Sequence, residues 1–414
     1  MGISPWILKE VRDFVSQHLP GIDSRKVMIN ATHTHTAPVV KMDHYAIPYQ
    51  IPEGVTSPEK ALEYIVNKIS EGIMQAWKNQ QKSTVTWGMD YAKVAYNRRA
   101  SYADGTAKMY GNTAVDEFRK MEGPEDESIN TLFFWNTKGE LIAACINIAC
   151  PSQIVEGRNT VNADYWHYVR QNMQKRLGKQ VVVLGWIGAA GDQNPRPMYN
   201  KIAEARMVQL RSGVAPKDLK MDGFNYQTEI YLQEIADRIT NAVVRSYEAV
   251  KVDRHSDVVM KHTVEKLALP MRIITQKEYW EIKHTIENYS KTEEDRRKNY
   301  GPIEWNSDAI KRYANQQKIE HPLYETEVHV LRIGDVAICS NPFELYTDYG
   351  VQMKARSRAL QTFVVQLTGS GSYLPTEFAV KGGHYSAVPQ SNEVGPEGGQ
   401  VLVDRTVQLI NQLW

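Results

Sequence analysis

Two histidines set two apart at the end of an apolar run are the residues of this chain best placed for chemistry. His33 and His35 stand in ATHTHTAP, residues 31–38, directly after the run from Val27 to Ala31. Residues i and i+2 of an extended segment face the same way, so both imidazoles could reach one metal, or one could ligate while the other meets substrate. The same pair also suits a surface or a satisfied core position. Thr32, Thr34, Thr36 and the rigid Pro38 favour the metal reading, because hydroxyls and a fixed turn can orient imidazoles from behind.

Four further segments put polar groups where an apolar strand gives way to a turn. GAAGDQNP, residues 188–195, offers glycine backbone N–H groups to a developing oxyanion, with Asp192 and Asn194 beside them. The same letters also describe an ordinary strand-to-helix turn. NPFELYTDYG sets Glu344 at an expected helix start, where the helix dipole alone favours a carboxylate. GSGSYLPTE carries Tyr373, and GGHYSA carries His384 and Tyr385.

Periodicity predicts the elements that must hold these groups. Ser4 and Pro5 open a helix with Ile7, Leu8, Val11, Phe14 and Val15 at helical spacing, which leads into a strand bearing the histidines. Ser57 and Pro58 open a second helix, with Leu62, Ile65, Val66, Ile69 and Ile73 on one face. Strand character runs from about Thr84 to Arg99, a hairpin joins Leu132–Trp135 to Leu141–Cys150 through NTKG, and Val181–Gly185 reads as a buried strand. A second hairpin spans Val328 to Cys339 and turns at Gly334 and Asp335; a helix from about Glu344, a strand Phe363–Leu367 and a C-terminal helix follow. The alternation predicts an α/β layer architecture, a mixed β-sheet with helices against it. Residues 276–320 are rich in charge, Tyr and Trp, with Gly301 and Pro302 interrupting two helical patterns. They read as a charged helical insertion facing solvent, or as a segment whose aromatics face substrate. No repeat or low-complexity linker divides the chain, so a single domain over 1–414 is expected.

Composition narrows the partners. The 414 residues are 42% hydrophobic and 23% charged, ample for a large core, and 49 Lys and Arg against 48 Asp and Glu leave a net charge of +1. Such a balance recommends neither nucleic acid nor an anionic membrane, and points to a small or medium-sized ligand. Three cysteines, Cys145, Cys150 and Cys339, are too few and scattered for a disulfide framework or a zinc finger. No apolar run approaches the roughly 20 residues of a membrane span, and the opening MGISPWILKEVRDF reads as an amphipathic helix.

Taken in their order along the chain, these motifs resemble the catalytic domain of the neutral/alkaline (non-lysosomal) ceramidases and their bacterial relatives, over nearly the whole sequence. His33 to Pro38 match an HTHSGP-like motif, Asn97 to Arg99 an NRS-like motif, Gly191 to Pro195 a GDxSP loop, and Glu344, Tyr373 and Tyr385 the closing loops. The resemblance implies a zinc-dependent amidase. It places His33, Glu344 and Tyr373 at zinc-ligand positions, and His35, Arg98 and Tyr385 where the amide and substrate oxygens are met. Such an N/O set with one open position suits carbonyl polarisation or hydroxide formation near neutral pH.

Two departures shape what is expected. Where the family has a second zinc histidine in a segment like ACHPT, this chain has ACPSQ, Ala149 to Gln153. His167, three residues after Asp164 in NADYWHYVR, is the candidate substitute, its alternative being a packing or capping role. Asn194 stands where the family has its nucleophilic serine, and an amide is no activated nucleophile. The expected enzyme is therefore a zinc hydrolase that cleaves the amide of an N-acylated substrate with activated water, Asn194 donating to the oxyanion. The rival readings are a glycan-directed hydrolase, which needs carboxylates about 5–10 Å apart from among Asp164, Asp192 and Glu344, and a binding-only protein. The charged, aromatic 276–320 segment suits a polar ligand, an N-acylated amino compound or a glycan, at least as well as ceramide. By the same resemblance a periplasmic or secreted location is expected. Family members begin with a strand-rich segment ahead of the helix at which this chain starts, and longer ones end in an immunoglobulin-like domain that this sequence does not contain.

Overall fold

Strand side chains alternate between two faces, and here both faces are apolar. In the computed structural model, which describes residues 2–40 and 51–414, the long strands form two four-stranded sheets. The first runs Ser83–Tyr91, Ser128–Asn136, Leu141–Ile148, Val182–Ile187, with antiparallel, antiparallel and parallel junctions. The second repeats that order of junctions with Met260–Pro270, Leu323–Ile333, Val336–Ser340 and Gln361–Val365. A parallel step needs a long crossover. The helix Tyr165–Leu177 lies in the first crossover and Thr347–Arg356 in the second.

The sheets pack face to face. Val85, Trp87, Leu132 and Cys145 of one meet Val336, Ile338, Phe363 and Val365 of the other. Their strand neighbours point outward: Phe133, Trp135, Ala144 and Ile146 pack with Val169 of the crossover helix and with Ile235 and Ile239 of the helix Glu229–Val250. On the far side, Val330, Ala337, Cys339 and Val364 pack with Met353, Leu402 and Val403, the last two from the helix Pro396–Asn411. The result is four layers, helix, sheet, sheet, helix. Burial on both faces explains why Val336–Ser340 reads as a continuous apolar run without alternation.

The mixed α/β architecture is as expected, but its strands divide between two sheets. Both proline-capped helices form, Pro5–His18 and Pro58–Lys78, with Ser4 and Ser57 accepting from backbone N–H groups. The histidine-bearing strand does not form. Residues 27–34 have no regular structure, because they run between loops of both sheets and take single bonds from each: Ala31 N–H donates to Leu367 O at 3.1 Å, and Ser152 N–H donates to Thr32 O at 3.1 Å. Nor does a helix start at Glu344. Glu344–Leu345 instead pairs in parallel with Tyr373–Leu374, and the helix begins at Thr347. The segment 276–320 carries three helices, Gln276–Tyr289, Glu293–Lys298 and Tyr300–Gln316, the first two opened by capping boxes at Thr275 and Thr292. Pro302 falls in the first turn of the third, where no N–H is missed. No helix among the described residues is long and apolar enough to cross a membrane.

Candidate functional site

Parallel strands leave a crevice beyond their carboxyl ends where loops gather, and here the ends of both parallel pairs meet. Gln366 N–H donates to Ile187 O at 2.9 Å, and the buried Asn147 Nδ2 donates to Val364 O at 2.8 Å, tying one sheet to the other. The loops leaving Ile148, Ile187, Ser340 and Val365 carry Gln153 and Glu156, Asp192 and Asn194, Glu344, and Tyr373 in turn. Glu344 and Tyr373 are register partners.

His33 enters this cluster from its irregular segment with a left-handed φ of 65°, a conformation costly for a side chain with a Cβ and frequent at functional sites. Its ring is buried, and Nε2 lies 3.6 Å from Glu344 Oε2. The His35 ring stands edge-on to it with centroids 5.0 Å apart. Thr34 and Thr36 hydroxyls both donate to Asn162 O, at 2.7 and 3.1 Å, so the threonines anchor the loop and leave the rings free. Buried His33 Nδ1 and His35 Nε2 have no hydrogen-bond partner.

Arg98 is the centre of the cluster. Its Nη2 donates to Gly191 O at 2.8 Å and to Tyr373 Oη at 3.2 Å, and its Nη1 to Tyr110 Oη at 3.0 Å and Gln153 Oε1 at 3.2 Å. Its Nε is buried without a partner. Burial opposes the Arg98 charge, but Tyr373, Tyr110 and Glu344 outweigh it and hold the guanidinium more firmly protonated than usual. Burial also pushes the imidazole pKa values down, well down for His33, so both rings are held neutral. It pushes the Glu344 carboxyl up, opposed by Arg98, and raises the Tyr373 and Tyr385 phenols. The Tyr385 ring lies 5.6 Å from that of Tyr373.

Other expected residues are placed differently. Asp192 is buried and clamped: Oδ2 accepts from Asn97 Nδ2 at 2.7 Å, and Oδ1 accepts from Thr347 N–H at 2.9 Å and Thr347 Oγ1 at 2.7 Å. Asn194 is spent on its own loop, Oδ1 accepting from Arg196 N–H at 2.8 Å and Nδ2 donating to Tyr96 O at 3.3 Å. Two of the glycine loop's N–H groups are likewise engaged. Gly191 donates to Leu345 O at 2.8 Å and Ala190 to Gln366 Oε1 at 3.2 Å. The donors of Ala190, Gly191 and Asn194 expected to face an oxyanion are therefore committed within the protein, and the loop holds Arg98, whose N–H donates to Asp192 O at 2.8 Å.

His167 does not join the cluster. It is exposed on the helix Tyr165–Leu177 with its ring against Tyr168, and Asp164 is the buried N-cap, accepting from the N–H groups of Ile154, Val155 and Tyr165. The helical face it was expected to share begins one residue too late. The sequence reading missed Glu156, Gln153 and Tyr110. Glu156 Oε1 lies 3.8 Å from His35 Nδ1, accepts from Gln153 Nε2 at 2.6 Å, and its other oxygen pairs with Arg196 at 2.8 Å. Nothing in the spacing of these three signals their role. Only their nearness to the ACPSQ and NRR segments could have.

Zinc fits part of this donor set. Two atoms bound to one zinc at about 2.0–2.2 Å lie roughly 3.3–3.6 Å apart, and the separation of 3.6 Å between His33 Nε2 and Glu344 Oε2 meets that, beside an adjoining phenol, Tyr373. Among the described residues no group of three or more His, Cys, Asp and Glu side chains gathers as a metal-binding set, so the third donor available is that phenol.

No protein-family model matches the chain, and no curated protein matches it in sequence. Solved structures match its fold. A structure described as ceramidase complexed with C2 aligns with a TM-score of 0.67 at 14% identity, over 100% of this chain and 66% of its own. The neutral ceramidase from Pseudomonas aeruginosa aligns with a TM-score of 0.66 at 16% identity, over 99% of this chain and 65% of its own. The chain thus spans just under two thirds of the length of these ceramidases. The chain therefore shares its fold with the aligned part of these ceramidase structures.

Proposed function

We propose that this chain hydrolyses the amide bond of an N-acylated substrate at the His33, His35, Arg98, Glu344 and Tyr373 cluster. The observation that carries the reading is the chelating separation of His33 Nε2 and Glu344 Oε2, 3.6 Å, beside a buried guanidinium. His33, Glu344 and Tyr373 would hold a zinc ion, which when bound supplies Lewis acidity to a carbonyl oxygen or lowers the pKa of a water molecule.

The chain's own groups account for the rest. Arg98 has one buried N–H, at Nε, uncommitted, and its charge would stabilise negative charge developing on the carbonyl oxygen. His35 is held neutral with Nε2 unpartnered, so it can accept a proton from the attacking water there. Glu156 beside Nδ1 then stabilises the imidazolium. In the balanced step the water oxygen bonds to the acyl carbon, the C–N bond breaks, and the proton taken by His35 passes to the leaving nitrogen, yielding an acid and an amine. Asp164 and Asp192, both committed to protein donors, lend no support to a glycosidase pair of carboxylates.

The test is a panel of N-acyl-sphingoid, N-acyl-amino-acid and N-acyl-amino-sugar amides, assayed with zinc loading and with chelation. Amide hydrolysis lost on chelation and restored by zinc supports the proposal. No hydrolysis of any amide by zinc-loaded protein would sink it and favour the binding-only reading.

A further inference from the structure

Above the cluster, burial gives way to exposure along a row of aromatic rings. Tyr373 is 8% exposed, with its hydroxyl on Arg98. Tyr385 is 46% exposed and stacks obliquely on Trp305, centroids 6.0 Å apart. Trp305 is 38% exposed and comes from the helix Tyr300–Gln316, so the 276–320 segment reaches the mouth of the site. Tyr110, 44% exposed, also contacts Arg98. Away from the aromatics the rim is ionic: Glu156 and Arg196 form a pair about 30% exposed beside His35.

We infer that Trp305 is a specificity-determining residue that, with Tyr385, stacks on a pyranose ring, so that the substrate is an N-acylated amino sugar; this rests on the amide-hydrolase reading above. An aromatic face is electron-rich and attracts weakly positive C–H groups. A pyranose offers such a C–H face, while its hydroxyls need charged or polar partners at the edge. The Trp305–Tyr385 wall and the Glu156–Arg196 pair supply the two together. A long acyl chain asks for the reverse, a desolvated aliphatic groove.

Binding and turnover are measured separately. Calorimetry with N,N′-diacetylchitobiose as probe should show binding by the wild type, weakened about tenfold in Trp305→Ala and largely restored in Trp305→Tyr, with circular dichroism confirming that both variants fold. In turnover, Trp305→Ala should raise KM for that amide with little change in kcat. Absence of saccharide binding by the wild type, equal binding by Trp305→Ala, or a matching loss of N-acyl-sphingoid binding would overturn the inference. Saccharide binding that depends on Trp305 without any amide hydrolysis would instead overturn the proposed reaction and leave the subsite standing.

Discussion

At the scale of the residue, the proposed reaction would divide its work between His33 as a metal donor and Arg98 as a charge. His33 presents a neutral imidazole at a strained φ, with Nδ1 unpartnered and Nε2 facing Glu344 at 3.6 Å, so truncating it removes a metal donor and breaks no hydrogen bond. His33→Ala is expected to fold, to lose zinc retention measured by metal analysis after dialysis, and to lose activity with it. Arg98 is different, because its guanidinium serves four oxygens, those of Gly191, Tyr373, Tyr110 and Gln153. A lysine keeps the charge but not the fork. Arg98→Lys should therefore lower kcat/KM at least tenfold and also lower the melting temperature, since buried acceptors left unpaired cost about 1–3 kcal/mol each. Asn194→Ser should not create strong ceramide hydrolysis: the side chain at that position serves Tyr96 O and Arg196 N–H, and a serine there gains no activating base.

At the scale of the element, the short pairing of Glu344–Leu345 with Tyr373–Leu374 fixes the site. It is pressed against the glycine loop: a Cβ on Gly191 would stand 2.3 Å from Glu344 O. Gly191→Ala should thus push Glu344 away from His33, cost about 1–3 kcal/mol by overpacking, and abolish activity, as paired unfolding and activity measurements would show. Gly301→Ala, where a Cβ meets nothing within 4 Å, should leave activity intact.

A second element-scale prediction concerns the strand pair Met260–Pro270 and Leu323–Ile333. His262 Nε2 and His329 Nδ1 are 2.9 Å apart, His329 Nε2 is 2.9 Å from Glu327, and Arg12 pairs with Glu327 at 2.6 Å. Burial, the facing His329 and Lys26 push His262 down to about 4, while Asp23 and Glu327 oppose them. Hydrogen bonds from His329 and Arg12 overcome burial and pull Glu327 down to about 2. Both groups bind protons more weakly folded than unfolded, so their stabilisation is present above the unfolded pKa and is lost on acidification. Stability should fall as pH drops from about 6.5 to about 4 through His262, and further between about 4.5 and about 2 through Glu327. Allowing for partial exposure, His262 accounts for about 1–2 kcal/mol. Urea unfolding across this range should show His262→Asn flattening the upper part of the decline only.

At the scale of the whole molecule, the site exists because two sheets bring the ends of their parallel strands together. Their contact is apolar at its middle, with Phe363 fully buried against the opposite sheet. Phe363→Ala should cost about 3–5 kcal/mol, seen as a lower denaturation midpoint, and weaken zinc retention through looser approach of the two loop sets.

By itself the sequence determined what local chemistry can dictate. Ser4 and Ser57 ahead of prolines set two helix starts and the NTKG and Gly334–Asp335 turns set two hairpins, while the resemblance of the ordered motifs offered His33, His35, Arg98, Glu344, Tyr373 and Tyr385 as candidates. Tertiary structure decided what depends on neighbours distant in the chain. A fully buried strand looks the same whether its sheet is one or two, since both faces are apolar in either case. The donors of Asn194, Gly191 and Ala190 went to Tyr96, Leu345 and Gln366, far away in sequence. His167 and Asp164 shared a plausible spacing, yet the helix began at Tyr165, leaving the carboxylate as a cap and the imidazole in solvent. Trp305 came to Tyr385 across 80 residues of chain, a contact no local period encodes, because only the packing of the 276–320 helices against the loop of Tyr385 creates it.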